Sequence, residues 1–205
     1  MREQAKAMGL AHEVVHLLPP DSTRSFTYED SYRAALTRLR ERMNVTGLVT
    51  GDILDVCNGF MDRAARGSGI EVIKPLWERG RRELLDSCRS ACFDAIFTCA
   101  NVSKCGETLA KRLVGTPLDE DALREIEEHG GVDLSGEGGE YHTMVVNIPG
   151  LYQYRVELAG RQALTSDGTY LYWELTVDAM SKAGPDVAAE EEAGEADQPG
   201  VRTCA

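Results

Sequence analysis

The sequence predicts an α/β fold: a partial parallel sheet with helices on both faces, followed by a smaller C-terminal α+β part. Three observations carry this. Short, nearly continuous apolar runs alternate with segments of helical period through the first half, the pattern of parallel strands buried on both faces. Glycine, proline and aspartate punctuate the junctions. After about residue 130 the alternation stops, and a glycine-rich stretch leads into strands separated by turn signals.

The elements follow in order. Residues 3–9 read as a helix stopped by Gly9. Residues 12–18 read as a short strand ended by Pro19-Pro20, and 21–30 as a polar loop. Tyr32, Ala35, Leu36, Leu39 and Met43 recur at helical spacing, which predicts an amphipathic helix over 30–43. Residues 45–49 form a buried strand ending at Thr50-Gly51-Asp52, before a helix over 54–66 closed by Gly67 and Gly69. A strand over 70–73 ends at Pro75-Leu76-Trp77. A helix over 78–91 precedes an apolar strand, 93–100, read into the same parallel sheet. Helices are expected near 105–113 and 118–128. Strands are expected over 144–148, 152–158 and 169–177, with Ser166-Asp167-Gly168 as a turn. Residues 1–112 thus read as an incomplete nucleotide-binding α/β domain and 113–180 as an α+β domain. Residues 181–205 carry six acids against two bases and read as a disordered acidic tail.

The 205 residues allow one large domain or two small ones at about 150 residues each. Hydrophobic residues at 42% and charged residues at 27% are globular usage, so wholesale disorder is excluded. The net charge of −12 argues against nucleic acid or an anionic membrane as partner, while leaving room for a small nucleotide. No apolar run approaches the roughly 18 residues that span a bilayer. The polar N-terminus lacks a signal-peptide core, so a reducing cytoplasmic location is expected. The six cysteines form no C-x-x-C pair. Cys88 and Cys92 read as small buried apolar residues, and no metal site is expected.

In parallel sheets, ligands sit beyond the carboxyl ends of the strands. Three strand ends are therefore candidate walls of a site: Gly51-Asp52, Lys74-Pro75-Leu76-Trp77 and Asn101-Val102-Ser103-Lys104. Asp52 is equally read as a helix N-cap. Trp77 reads first as a packing residue. Arg79, Arg81 and Arg82 read as a solvated helix start, with phosphate contact the alternative. The motif Gly136-Glu137-Gly138-Gly139-Glu140-Tyr141-His142-Thr143 carries the most chemistry. Its glycines let backbone approach a ligand and offer N–H groups to an anion. Glu137 and Glu140 could bind Mg²⁺, accept hydrogen bonds from an amine, or act as a base, and His142 could transfer a proton. The same pattern also describes a flexible glycine turn with solvated acids.

Gly51-Asp52-Ile53, Pro75-Leu76-Trp77 and Gly136–Thr143, in that order, resemble the diphthine–ammonia ligase family. This is the ATP-binding-domain-4 group of the PP-loop ATP pyrophosphatase superfamily. The resemblance implies a HUP-type nucleotide-binding fold, ATP and Mg²⁺ as cofactors, and ammonia as nucleophile. It implies elongation factor 2 as protein substrate, whose diphthine carboxylate is activated by ATP and amidated to diphthamide. Glu137, Glu140 and His142 would then be catalytic, and Gly51, Asp52, Gly138 and Gly139 would bind the cofactor. Family members begin with a strand and a Ser-Gly-Gly-Lys-Asp-Ser phosphate loop that nothing here matches, so a chain lacking that loop is expected. His142 stands where many members carry glutamate. Two other functions remain open: a non-catalytic paralogue binding a nucleotide or protein partner, and an ATP-dependent amidase-type enzyme of small-molecule metabolism.

Overall fold

The computed structural model describes residues 1–19, 25–55, 57–167 and 171–182. In chain order its elements are α1 (Arg2–Ala7), α2 (Tyr28–Met43), β1 (Gly47–Val49), α3 (Phe60–Ala65), β2 (Glu71–Ile73) and α4 (Arg81–Ser90). There follow β3 (Asp94–Asn101), α5 (Val102–Leu113), α6 (Glu120–His129), β4 (Tyr141–Asn147), β5 (Val156–Ser166) and β6 (Leu171–Lys182). The fold is mixed α/β, with a small parallel sheet and an antiparallel sheet flanked by helices. Contacts gather the chain into two units, Glu13–Gly80 and Met1–His12 with Arg81 onward.

In the unit Glu13–Gly80, β1 and β2 pair in parallel, with Leu48 opposite Val72. Leu36, Ala65 and Ile70 form its core, packed by Val45, Leu48 and Val72. The helix α2 starts at a capping box. The Thr27 hydroxyl accepts from the Asp30 N–H at 3.1 Å, and the Asp30 carboxylate accepts from the Thr27 N–H at 2.9 Å. Two expectations change here. Residues 12–18 form no strand, and Val14 and Leu18 are exposed; an apolar run without a neighbouring strand has no ladder to join. The helix expected from 54 begins only at Phe60, because Asn58 and Gly59 both take positive φ, at 51° and 60°. Asp52 therefore does not cap it.

In the second unit the strand order is β4-β3-β6-β5, all antiparallel. The strand expected over 93–100 in the parallel sheet is thus corrected. As β3 it pairs antiparallel with β4 and, at Cys99–Asn101, with β6. Nearer its start its other flank is taken by residues 115–118. Phe97 N–H donates to Thr116 O at 3.0 Å and Leu118 N–H to Ala95 O at 2.8 Å. The helix after β3 therefore returns the chain to the edge of β3 instead of crossing to a parallel strand, and the break between units falls before α4, not near 112. The strand expected over 152–158 runs instead as β5, Val156–Ser166. Ser181 and Lys182, read as tail, lie in β6 opposite Glu157 and Val156. Gly168 of the expected turn and residues 183–205 of the expected tail lie outside the described residues.

One face of this sheet presents Phe97 and Tyr141 to α5 and α6, where Leu113, Val114 and Ile126 are fully buried. The other presents Val146 to Ala7 of α1, with Val156 beside them. Asn101 closes β3 and caps α5, its side chain accepting from Ser103 N–H at 2.9 Å. That junction aims the start of α5 at the glycine motif.

Candidate functional site

In the unit Glu13–Gly80, two of the predicted strand ends come together. Because β1 and β2 are parallel, both end at one edge, and Thr50 N–H donates to Ile73 O at 3.0 Å. Beyond them Glu78 N–H donates to Ile53 O at 2.9 Å, tying the Gly51-Asp52 loop to the Pro75-Leu76-Trp77 turn. The Asp52 carboxylate accepts from the Thr50 hydroxyl at 3.0 Å. Gly51 is exposed, with nothing within 4 Å of where a Cβ would stand. Lys74 lies 4.5 Å from the Trp77 ring centroid, a cation–π contact that leaves Trp77 partly packed.

The third strand end belongs to the other unit, where it meets the glycine motif. Lys104 donates to the Gly138 carbonyl. Asn101 N–H donates to Glu140 O at 2.7 Å, and the Cys105 thiol donates to the same oxygen at 3.3 Å. The turn itself is closed by Gly139 N–H to Gly136 O at 2.9 Å, so this N–H is engaged within the loop. Glu140 is only 8% exposed, and its Oε2 is buried with no hydrogen-bond partner among the described residues. Its Oε1 would lie 2.5 Å from a Cβ at Gly138, so a side chain there would displace the Glu140 carboxylate from its present place. A buried carboxylate oxygen with nothing to accept from is costly and marks a place where a donor belongs. Glu137 is half-buried, whereas His142 is exposed at the start of β4.

A second network holds the loop from below. The Asp133 carboxylate accepts from Ser135 N–H at 2.8 Å and Arg81 Nε at 2.9 Å. Burial alone would raise the Asp133 carboxyl. The N–H donors of Ser135 and Glu137 and the Arg81 guanidinium outweigh it and hold the carboxyl below its ordinary range. Asp133 therefore contributes stability above its unfolded-state pKa of about 4, lost as pH falls through the lower folded value. Asp133→Ala is expected to lower the melting temperature at neutral pH, and the gap to wild type should close in strong acid. Melting curves across the acid range check this.

Gly136 has φ 70°, and a Cβ there would meet Tyr141 O at 3.0 Å. Gly136→Ala is expected to destabilise this unit by about 1–2 kcal/mol, read by denaturant unfolding. Tyr141 anchors the same segment. Its ring packs edge-on against Phe97 at 4.9 Å and its hydroxyl donates to Leu134 O. Burial, with Asp133 next, pushes its phenol up, and burial pushes the Cys105 thiol up to about 11. Cys105 is thus a neutral packing group and not a nucleophile at neutral pH.

Lys104 and Asp133 carry the geometry, yet sequence reasoning did not single them out. Lys104 was legible only as the end of a strand-end tetrapeptide. Asp133 had a signal, an Asx residue two before Ser135 at the mouth of a glycine turn. Arg81 and Arg82 are not simply solvated: Arg81 holds Asp133, and Arg82 pairs with Glu120 at 2.7 Å. Among the described residues, no group of three or more His, Cys, Asp or Glu is placed to hold a metal. A Mg²⁺ ion here would need phosphate oxygens to complete its shell. No helix among the described residues is long and apolar enough to cross a membrane.

Residues 83–178, which span α4 to most of β6 and include the whole glycine motif, match the family model of the diphthamide synthase C-terminal domain. A diphthine–ammonia ligase of Bos taurus is 30% identical over 140 residues, covering 67% of this chain and 51% of the relative. Residues 83–178 are thus a diphthamide synthase C-terminal domain, and the chain is similar to diphthine–ammonia ligases. The Mus musculus ligase is 28% identical over 138 residues (66% of this chain, 50% of the relative) and the Homo sapiens ligase 31% over 124 residues (59% and 45%). The chain spans about half the length of these mammalian relatives.

Proposed function

We propose that this protein takes part in the ATP-dependent amidation of a protein-bound carboxylate, the diphthine of elongation factor 2, with ammonia as the nitrogen donor. The observation that carries this reading is the Glu140 carboxylate, buried in the family-matched segment with one oxygen unpartnered among the described residues. ATP, with Mg²⁺ on its phosphates, supplies the adenylyl group that makes AMP the leaving group of the acceptor carboxylate. Glu140 accepts N–H hydrogen bonds from ammonia, aims its lone pair at the acyl carbon, and takes the proton it loses on forming the C–N bond. His142, exposed at the start of β4, passes that proton to water. The small residues Gly138 and Gly139 let the acceptor approach the backbone, and Lys104 fixes the Gly138 carbonyl so that Glu140 keeps its place. Gly51 and Asp52 form the open strand-end surface of the other unit assigned to the nucleotide. Cytoplasmic chemistry on a translation factor accords with this.

The self-closure of the loop, with Gly139 N–H on Gly136 O, favours a second reading: a non-catalytic paralogue that binds the nucleotide or the protein partner. Expression of this chain in cells lacking diphthine–ammonia ligase separates them. Mass analysis of elongation factor 2 is expected to show the diphthine carboxyl replaced by an amide. Diphthine that stays unamidated while the chain co-purifies with the factor supports the paralogue instead.

A further inference from the structure

The sequence holds the asparagines Asn44, Asn58, Asn101 and Asn147. Val45, Val102 and Ile148 follow three of them, and a branched side chain crowds the backbone nitrogen beside it. Asn58 is followed by Gly59, whose nitrogen has no side chain next to it. Both residues take left-handed backbone, at φ 51° and 60°, in the stretch that delays the start of α3. Asn58 is exposed. A Cβ at Gly59 would meet nothing nearer than Asp62 Oδ2 at 3.7 Å, so the space beside Gly59 is open.

The fold adds a base. Gly59 N–H donates to Asp55 Oδ1 at 2.5 Å. An amide nitrogen is a poor nucleophile until its proton is drawn off, and a carboxylate in hydrogen-bond contact with that proton is placed to take it. The electrophile, the side-chain carbonyl carbon of Asn58, belongs to the adjacent residue. Attack is therefore intramolecular and needs only rotation within the Asn58-Gly59 pair. Asn44 is a built-in control: it is also exposed and left-handed, at φ 55°, but it precedes Val45.

We propose that Asn58 is a self-modifying site, at which Asp55 assists conversion of the asparagine to aspartate and isoaspartate. The Gly59 nitrogen gives its proton to the Asp55 carboxylate and bonds to the Asn58 Cγ. The bond from Cγ to Nδ2 then breaks, and that nitrogen takes the proton back from Asp55 and leaves as ammonia. The cyclic succinimide left behind is opened by water at either of its carbonyls, which the exposure of Asn58 permits. Nothing is oxidised or reduced, and water is the only co-reactant. The product adds a negative charge to the loop that leaves β1 through Gly51-Asp52, and its isoaspartate form lengthens the backbone just ahead of α3. The conversion rests on this loop alone and not on the amidation reading.

The full chain is aged in neutral buffer, folded or in denaturant, then cut after arginine and lysine. Asn44 and Asn58 then fall in one peptide, residues 43–63. Its mass and fragmentation are expected to show Asn58 converted, with oxygen in place of the side-chain NH, and Asn44 intact. Asp55→Asn keeps an acceptor and Asp55→Ala keeps none, and both remove the base. Each variant that a melting curve shows to be folded should convert at least about tenfold more slowly than wild type. In denaturant, where Asp55 no longer holds the Gly59 N–H, wild type and variants should convert alike. An intact Asn58, equal conversion of Asn44, folded Asp55 variants as fast as wild type, or the same slowing in denaturant overturns the proposal.

Discussion

Glu140→Gln is expected to lower amidation by about 10²–10⁴-fold, the usual contribution of a positioned general base, while leaving the melting temperature equal or higher. The direction of the second effect comes from burial. An exposed loop acid would contribute little to the fold either way, but Glu140 is 8% exposed and one oxygen has no partner among the described residues. Glutamine keeps the shape and removes a poorly compensated charge from a buried place. Activity and stability then move in opposite directions, as they do where a site holds strain for function. A melting temperature that falls sharply in Glu140→Gln would mean that the carboxylate is structural, and the loss of activity would say nothing about proton transfer. Initial rates and melting curves on the same preparation distinguish the two.

Phe97→Ala is expected to cost about 3–5 kcal/mol, the range for truncating a large core aromatic. Phe97 is fully buried at the centre of β3, with Leu113, Val114 and Ile126 in the same cluster. Native domains have only about 5–15 kcal/mol to lose. The substitution also removes the ring that holds Tyr141 edge-on, and Tyr141 in turn fastens the chain beside Leu134. The denaturation midpoint should therefore drop steeply, and the glycine loop should lose amide-exchange protection even where the fold survives. A shift below about 1 kcal/mol would show that the cluster closes around the missing ring.

The helices were legible because amphipathic period and caps are local signals. The run Tyr32, Ala35, Leu36, Leu39 predicts α2, and the observed capping box at Thr27 and Asp30 explains its start. The partners of β3 were not legible. A continuous apolar strand carries no information about the direction of its neighbours, and residues 115–118 join its edge through backbone groups alone. The late start of α3 depended on two left-handed residues, Asn58 and Gly59, of which only the glycine gives a hint.

At the site, the types and order of residues were readable and the burial was not. Glu137 and Glu140 look alike in sequence, yet only Glu140 is covered, because Asn101 N–H and the Cys105 thiol draw its carbonyl against the start of α5. Lys104 and Gly138 are 34 residues apart, a distance across which local patterns say nothing. Asp52, read with equal weight as cap or ligand contact, caps nothing in the fold and hydrogen-bonds to Thr50 instead.

Transfer of heavy-nitrogen ammonium by the purified protein tests the central claim most directly. Elongation factor 2 bearing diphthine is incubated with the protein and labelled ammonium, with and without ATP, and the modified residue is analysed by mass. Labelled amide that forms only with ATP, accompanied by AMP in equal amount, is the predicted result. Unlabelled diphthine in the presence of ATP, or label incorporated without it, would contradict the claim that this protein performs ATP-dependent amidation.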